Sequence, residues 1–585
     1  MEFLQTNRTG RAKLIALLCM IGVASLVAMT GLALSGADID VDSNRDGVVD
    51  NSADDPDEAT WTTTRGAVFY YNIDDDDNNG VEDANDTVVN GEADQSDLAR
   101  VTIRRHRFLQ VGSSVKVSVA PPAQGRIRVF HDKKDSWSSV YSSGPAFALP
   151  PSDVEAGDVT LGIEARERIS PSWNGQVMLT LEIRNRTGGL LASDRVLLRC
   201  APWIMSTNLW VPQEIHVVRA GGLSPNAPFR TMIQSVAAAA GVRYVEIPGS
   251  SYSDDRWIQD SSEDGSIYLP QRGAPRRRIP SVLQLARYRA VDQWSVDVLF
   301  NPDFDLTRRF SSDSSKTNYG GNLEIIPPHA GYPWGRIVTG GGTSTPIGGG
   351  TPVTRRMTHP YRDYFNALAL QSPHLEVSTE WLSVGHVDEH TMAVPAPSLG
   401  RGWALVIGSP SLARTILESV RAAGGGSLPV FQGRTGYQTT VNAILANVPL
   451  MAFNAEVQTR MDGVRNYYRA QIGLSDAEII DLPVLYENAG SGFAVAYNPG
   501  VVNMVVIPTT SGTSHLLVPD PEGPDSPTDA WQRETTARLT ALGTAGRPNV
   551  VHYVDVFFSY HTLMGEAHCG TNWVRIPPAQ DWWDD

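Results

Sequence analysis

Cys569 lies in the segment His568-Cys569-Gly570-Thr571-Asn572, and three other short segments carry comparable polar density inside apolar surroundings. They are Asp255-Arg256-Trp257-Ile258-Gln259-Asp260, Gly321-Asn322-Leu323-Glu324 and Gly385-His386-Val387-Asp388-Glu389. A thiol, an imidazole and several carboxylates are the materials of nucleophilic catalysis: a thiolate attacks, and an imidazole moves the protons. One cysteine with a distant His and Asp is a weak signal, because most such cysteines are buried and inert. An isolated Asp is ordinarily a cap or a surface group. An extended His386-Val387-Asp388 would set both side chains on one face of a strand.

A second concentration of oxygen ligands lies near the N-terminus. Between Ala37 and Leu98 stand nineteen Asp and Glu against Arg45 and Arg65, which accounts for the whole formal charge of −16. Asp42-Ser43-Asn44-Arg45-Asp46-Gly47 and Asp75-Asp76-Asp77-Asn78-Asn79-Gly80 each set oxygen side chains before a glycine, and the second runs on to Asp83 and Asp86. Such loops suit a hard cation that takes six to eight oxygens. The first has Ala53 where an EF-hand places its bidentate Glu. A solvated acidic linker would carry the same charge, but these acids are interleaved with strand-like runs. No basic stripe is present to neutralise phosphates, so nucleic acid is not expected as a partner.

The elements that must position these groups fall into two textures. The chain has 585 residues, 41% hydrophobic and 19% charged, which is globular composition but too long for one core. Residues 37–200 read as a β-sandwich, with alternating runs at Ala67–Tyr71, Lys116–Val119 and Val177–Leu181. Residues 201–585 alternate strand-like runs with helical stretches such as Thr231–Ala240 and Ser411–Ala423, an α/β pattern. Gly340 to Pro352 read as loop, and no exact repeat stands out. The three cysteines, Cys19, Cys200 and Cys569, do not form a disulfide scaffold. Leu14–Leu34 is apolar behind Arg8, Arg11 and Lys13, so residues 1–36 read as a cleavable signal peptide or a membrane anchor. Either places the remainder outside the cytoplasm: secreted, periplasmic or anchored.

Taken in order, these segments resemble the protein-arginine deiminases. Arg199-Cys200-Ala201-Pro202-Trp203-Ile204-Met205, Asn322-Leu323-Glu324-Ile325-Ile326-Pro327-Pro328, Tyr332-Pro333-Trp334-Gly335-Arg336-Ile337 and Trp381-Leu382-Ser383-Val384 leading into Gly385-His386 extend the likeness from about Ala37 to Ile576. It does not include the additional N-terminal domain of animal members. The resemblance implies an immunoglobulin-like calcium-binding middle domain followed by a five-bladed α/β propeller of the pentein type.

It also implies roles. Cys569 is the expected nucleophile, His386 the acid and then base, and Asp260 and Asp388 the holders of the guanidinium. Trp257, Arg287 and Arg289 are expected to contact substrate. Calcium ions are expected at Gln259, Glu263, Leu323 and Glu324, and in the middle domain at Asn72, Asp74, Asp76, Asp83, Asp86, Asp94 and Asp97 with Asp303. Ser261, Gln284 and Leu285 depart from a second catalytic-domain ion site, and Leu563 and Met564 replace polar residues before the nucleophile. The implied reaction is protein arginine plus water giving protein citrulline and ammonia. Two rivals remain: a free-arginine or agmatine deiminase or amidinotransferase, against which the extra β-domain argues, and an inactive calcium-binding interaction protein, against which the intact Asp260, His386, Asp388 and Cys569 argue.

Overall fold

In this computed structural model the described residues are 36–584, apart from 73, 74, 78–81, 108, 135, 223, 272, 273 and 302. The apolar segment Leu14–Leu34 and Asp74 lie outside them. Among the described residues no helix is long and apolar enough to cross a membrane.

Residues 39–200 form two five-stranded sheets. One runs in the order Ile39–Val41, Ala99–Ile103, Val159–Ala165, Ile127–Asp132, Trp137–Tyr141; the other Ala67–Phe69, Leu190–Cys200, Gln176–Arg184, Ser114–Val119, Ala146–Leu149. Gln176–Arg184 alternates buried and less buried positions along its length, and its inward Val177, Leu179 and Leu181 meet Val129, Leu161 and Ile163 of the opposite sheet in one core. That core does not stop at Cys200. It continues through Trp203, Trp210, Ile267 and Trp334 of the second part and takes in Trp582 and Trp583 from the C-terminus. Trp582 stacks on Trp61 with ring centroids 5.4 Å apart, and the Arg199 guanidinium lies 4.8 Å and 5.1 Å from the Trp61 and Trp582 rings.

Among the described residues, five of the sheets in the second part share one hydrogen-bonding scheme: an antiparallel pair whose second strand continues into a parallel neighbour. Ser262–Gln271, Ala274–Gln284 and Asp305–Thr307 form one. Leu323–Ile326, Arg336–Ser344 and Leu375–Val377 form the next. Thr391–Ala396, Gly402–Ser409 and Ile479–Pro483 follow, then Val505–Pro508, Ser514–Pro519 and Asn549–Val554. In the fifth, the last strand of the chain, Asn572–Ile576, pairs antiparallel with Val211–Arg219, which runs parallel to Arg243–Pro248. Helices cross between parallel neighbours, for example Ala227–Ala240 and Ala530–Ala541. What repeats is therefore topology and not residue pattern.

Two local expectations change. Gly340 to Ser344 are not loop; they continue the strand Arg336–Ser344. Glycine is required there because a Cβ on Gly340 would collide with Asn322 and Thr379. His386-Val387-Asp388 is not a strand either. Gly385 takes a left-handed φ of 92°, and the Glu389 carboxylate accepts the N–H groups of Gly385 and His386 at 2.8 Å and 2.7 Å, which curls the segment into a turn.

The C-terminal tryptophan clamp is expected to hold the two parts together. Trp582→Ala should lower unfolding stability by about 3–5 kcal/mol, the usual cost of truncating a buried aromatic. Urea denaturation checks this, and a loss below about 1 kcal/mol would show that the joint does not rely on the clamp.

Candidate active site

Each of the five sheets contributes the residues that immediately precede its first strand. The turn Gln259–Ser261 comes before Ser262, Gly320–Asn322 before Leu323, residues 385–389 before Thr391, Asn503 before Val505, and the turn His568–Gly570 before Asn572. Gln259–Ser261 packs against both other turns. These close approaches depend on small residues: a Cβ on Gly320 would overlap Gln259, and one on Gly321 would stand 2.5 Å from His386 Nδ1 and 3.0 Å from Asp388 Oδ1.

Cys569, His386, Asp260 and Asp388 are brought together and all are buried. The Cys569 sulfur lies 3.5 Å from Asp388 Oδ2, and His386 Nδ1 lies 3.7 Å from Asp260 Oδ1. His386 Nε2 is 3.0 Å from the Lys316 carbonyl. A carbonyl only accepts, so Nε2 carries the proton and Nδ1 is left to face the carboxylates. Burial raises the Asp260 pKa against the opposing pull of His386 and Arg287. Burial, with Asp388 and Asp260, pushes the Cys569 thiol well above its ordinary range.

Sequence reasoning missed two contributors. Asn503 donates from Nδ2 to the sulfur at 3.3 Å and to the Asp388 carbonyl at 3.2 Å, while its Oδ1 accepts the His568 N–H at 2.9 Å. His568 Nδ1 sits 3.0 Å from Asp388 Oδ2; burial works against its imidazolium, but Glu324 and Asp388 outweigh it and raise its pKa. Asn503 could have been sought as a polar residue inside Val501–Val506, and His568 as the immediate neighbour of the nucleophile.

The residues expected at substrate separate. Arg287 is buried and donates to both Asp255 oxygens at 2.6 Å and 3.0 Å, with Nε 3.6 Å from Asp260. Arg289 is half-exposed at the rim. Trp257 is partly buried, its ring edge-on to Tyr560 and lying over Gly565.

Gln259, Glu263 and Glu324 also converge. Gln259 donates to Glu263 at 2.6 Å, leaving its own buried Oε1, and Oε1 of Glu324, without a hydrogen-bond partner. Burial and then Glu324 raise the Glu263 pKa well above the ordinary value, and burial pushes Glu324 up to about 7. Leu323 turns its side chain into the core, so only its backbone carbonyl can serve an ion. Of the positions that depart from a second ion site, Ser261 Oγ donates to the Ile258 carbonyl at 2.7 Å and accepts from Trp294 Nε1 at 2.7 Å. Gln284 bonds to the Asp292 carbonyl and to Ser295, and Leu285 is core.

In the β-domain, Asn72 Oδ1 and both Asp76 carboxylate oxygens are buried without hydrogen-bond partners. Asp75, Asp77 and Asp83 bring oxygens within 4.8 Å of one another. Burial, with Asp76, Asp86 and Asp77, raises Asp94 to about 6. Asp97 and Asp303 instead pair with the Arg277 guanidinium. In the loop Asp42–Gly47, Asp42 accepts the N–H groups of Asp46 and Gly47 at 3.0 Å and 2.9 Å, and Arg45 donates to four backbone carbonyls.

Known proteins share this arrangement of sequence. The family model "Protein-arginine deiminase (PAD)" matches residues 190–584, and that of its middle domain matches residues 37–183. The type-4 protein-arginine deiminase of Mus musculus is 28% identical over 590 residues, covering 96% of this chain and 84% of its own. The type-3 protein-arginine deiminase of Homo sapiens is 32% identical over 405 residues, covering 67% of this chain and 57% of its own. A solved putative agmatine deiminase superposes with a TM-score of 0.36 at 11% identity, covering 64% of this chain and 97% of its own, too loose a likeness to carry an argument. The chain belongs to the protein-arginine deiminase family, amidine hydrolases that convert protein arginine to citrulline.

Asn503 is expected to tune the sulfur. Asn503→Asp would add a carboxylate beside it and raise the thiol pKa further. Carboxymethylation of Cys569 at pH 8 should slow by about tenfold, the loss of thiolate that roughly 1.4 kcal/mol of added repulsion produces. Iodoacetate rates across pH check this; an unchanged profile would show that the amide does not govern the thiol.

Proposed function

We propose that this chain hydrolyses protein arginine at Cys569 in a calcium-dependent manner, outside the cytoplasm, in a catalytic domain whose five sheets are the blades of a pentein propeller and which follows an immunoglobulin-like middle domain; the boundary falls near residue 200. One observation carries the reading: a thiol 3.5 Å from one buried carboxylate, beside an imidazole 3.7 Å from a second.

The roles follow from that geometry. Asp260 and Asp388 bind the substrate guanidinium by charge-assisted hydrogen bonds. Its positive charge opposes the effect that holds the thiol protonated, so binding itself favours the thiolate. The sulfur attacks the guanidinium carbon. The thiol proton passes to His386 Nδ1, and once the sulfur has added, the bond to one terminal nitrogen breaks and that nitrogen leaves as ammonia carrying the same proton. His386 then takes a proton from water, whose oxygen attacks the same carbon, and the C–S bond breaks to release citrulline and return the thiolate. Asn503 steadies the sulfur, Arg287 braces Asp255 and Asp260, Trp257 packs against the substrate's stem, and Arg289 meets its backbone.

Gln259, Glu263, Leu323 and Glu324 fit a calcium ion: their donors are all oxygens, two without hydrogen-bond partners, and burial with Glu324 raises the Glu263 pKa. Asn72, Asp76, Asp83, Asp86 and Asp94 fit further ions, joined by Asp97 and Asp303 once Arg277 is displaced. Bound calcium supplies positive charge and fixed geometry to the turn that carries Asp260. The Ser261–Trp294 and Gln284–Ser295 hydrogen bonds support a single ion in the catalytic domain.

Cys569→Ser is expected to lose more than about nine-tenths of citrulline release from a blocked arginine peptide, while its melting temperature stays near that of wild type. A blocked peptide is expected to exceed free arginine in kcat/KM; the reverse order would replace the protein substrate with a small molecule, and no turnover of either would leave an ion-binding interaction protein.

Calcium removal supplies a separate check. Glu324→Gln should need at least about tenfold more calcium for half-maximal activity and lose one ion by calorimetry. Full wild-type activity after verified chelation would overturn the calcium requirement.

A further inference from the structure

The mouth of the site has two chemically different sides, and Trp257 touches both. One is a polar cleft of Asp254, Asp255, Arg256 and Arg289. The other is the turn that leads into the nucleophile, where Phe558, Leu563 and Met564 are 43%, 43% and 46% exposed. Tyr437, 50% exposed, extends this face, with its ring 6.2 Å from Phe558 and 5.2 Å from Phe557. Single exposed apolar side chains are common on protein surfaces. Here three stand on the one short segment 558–564 that leads into the nucleophile turn, and a fourth packs against its start.

This patch is continuous with the reaction centre. Met564 lines the small cavity that also contains Cys569, Asn503 and Glu389. Its sulfur is 4.0 Å from Ser383 Oγ, on the stretch that leads to His386. The next residue, Gly565, lies so close beneath Trp257 that a Cβ would collide with the indole. The backbone of the turn is also fixed. Leu563 and Met564 donate to the carbonyls of Tyr560 and His561 at 2.9 Å each, Met564 adopts a left-handed φ of 71°, and Phe558 packs on buried Phe557 at 5.1 Å. The side chains therefore project from a held frame.

We infer that Phe558, Leu563, Met564 and Tyr437 form a specificity surface that selects protein arginines flanked by a large apolar residue. This rests on the deiminase reading, because an arginine inserted to Cys569 is what brings its neighbours over the turn. The occupant is the substrate polypeptide. A flanking residue that lands on the cleft side meets charge and hydrogen-bonding groups. One that lands on the turn meets carbon and sulfur: a carboxylate there loses water without gaining a partner, whereas leucine or phenylalanine buries apolar area.

The test uses two sets of blocked peptides, one varied before the arginine and one after it, each with Leu, Phe, Gly or Asp. In one set, kcat/KM for Leu and Phe should exceed that for Asp by at least about tenfold, the factor expected from burying much of one such side chain. Leu563→Gln and Tyr437→Ser, on separate elements and at exposed sites, should each reduce that ratio by about threefold or more, with folding verified by melting. Citrulline formation that ignores the flank in both sets would overturn the surface and leave the deiminase reading standing. Calorimetry of the same peptides on Cys569→Ala separates the two ideas. Tighter binding of apolar flanks there supports the surface even if wild type fails to turn any peptide over, and binding that ignores the flank overturns it.

Discussion

The centre of this molecule buries more negative charge than its own cations balance. Asp260, Glu263 and Asp388 are buried, Glu324 and Glu389 nearly so. Facing them are Arg287, already committed to Asp255, and His568 and Arg575. Carboxylates taken out of water without partners either protonate or destabilise the fold. Here burial drives Glu263, Glu324 and Asp260 upward, and the same field suppresses the thiolate of Cys569. A guanidinium between Asp260 and Asp388, and a divalent ion among Gln259, Glu263 and Glu324, would each answer a different part of the deficit. In the proposed reaction, substrate charge and thiol ionisation would be coupled by electrostatics: a guanidinium beside Cys569 would oppose the field that keeps it protonated.

Holding so much like charge in place needs a rigid support, and the repeated topology supplies it. Gln259–Ser261, Gly320–Asn322, residues 385–389, Asn503 and His568–Gly570 each precede the first strand of one of five similar sheets, so five equivalent positions converge on one point. Strand pairing fixes each segment from behind, while glycines at 320 and 321 allow backbones to approach closely enough for His386 and Asp388 to meet the Asp260 turn. Val211–Arg219, near the start of this part, shares a sheet with its last strand, which ties the Cys569 turn to the start of the domain rather than leaving it on a free C-terminal tail. The tryptophans beyond it then extend the tie to the β-domain.

This explains what was legible in the sequence and what was not. The gathering of Cys569, His386, Asp260 and Asp388 was readable because their chemistry is unusual in apolar surroundings, and the alternation of Val177–Leu181 was readable because one face is solvated. The repeat was not, since five units with different loops and helices preserve hydrogen bonding and not residues. Without it, Asn503 had no reason to stand out, although it is the contribution of the fourth unit. The burial of Arg287 was also hidden: its nearest partner, Asp255, is thirty-two positions away, and only the fold sets them 2.6 Å apart. His386-Val387-Asp388 misled because its alternation suits a strand, while Gly385 and Glu389 close it into a turn.

The Asp260 turn shows how support by an ion and support by protein can be divided. On one side, Ser261 is fixed between the Ile258 carbonyl and the Trp294 indole, a neutral pair of hydrogen bonds that needs no added charge. On the other, Gln259 and Glu263 face Glu324 with oxygens to spare. A turn held on both sides by protein would place Asp260 permanently; a turn held on neither would place it only with two ions. Held on one side, it keeps its fold without metal but leaves the carboxylate's final position to the charge balance opposite. Since misplacement of a substrate-binding group by about 1 Å can cost about a hundredfold in rate, activity can follow calcium steeply while the fold does not. With the proposed calcium site, the departures at Ser261, Gln284 and Leu285 would simplify the control and not remove it.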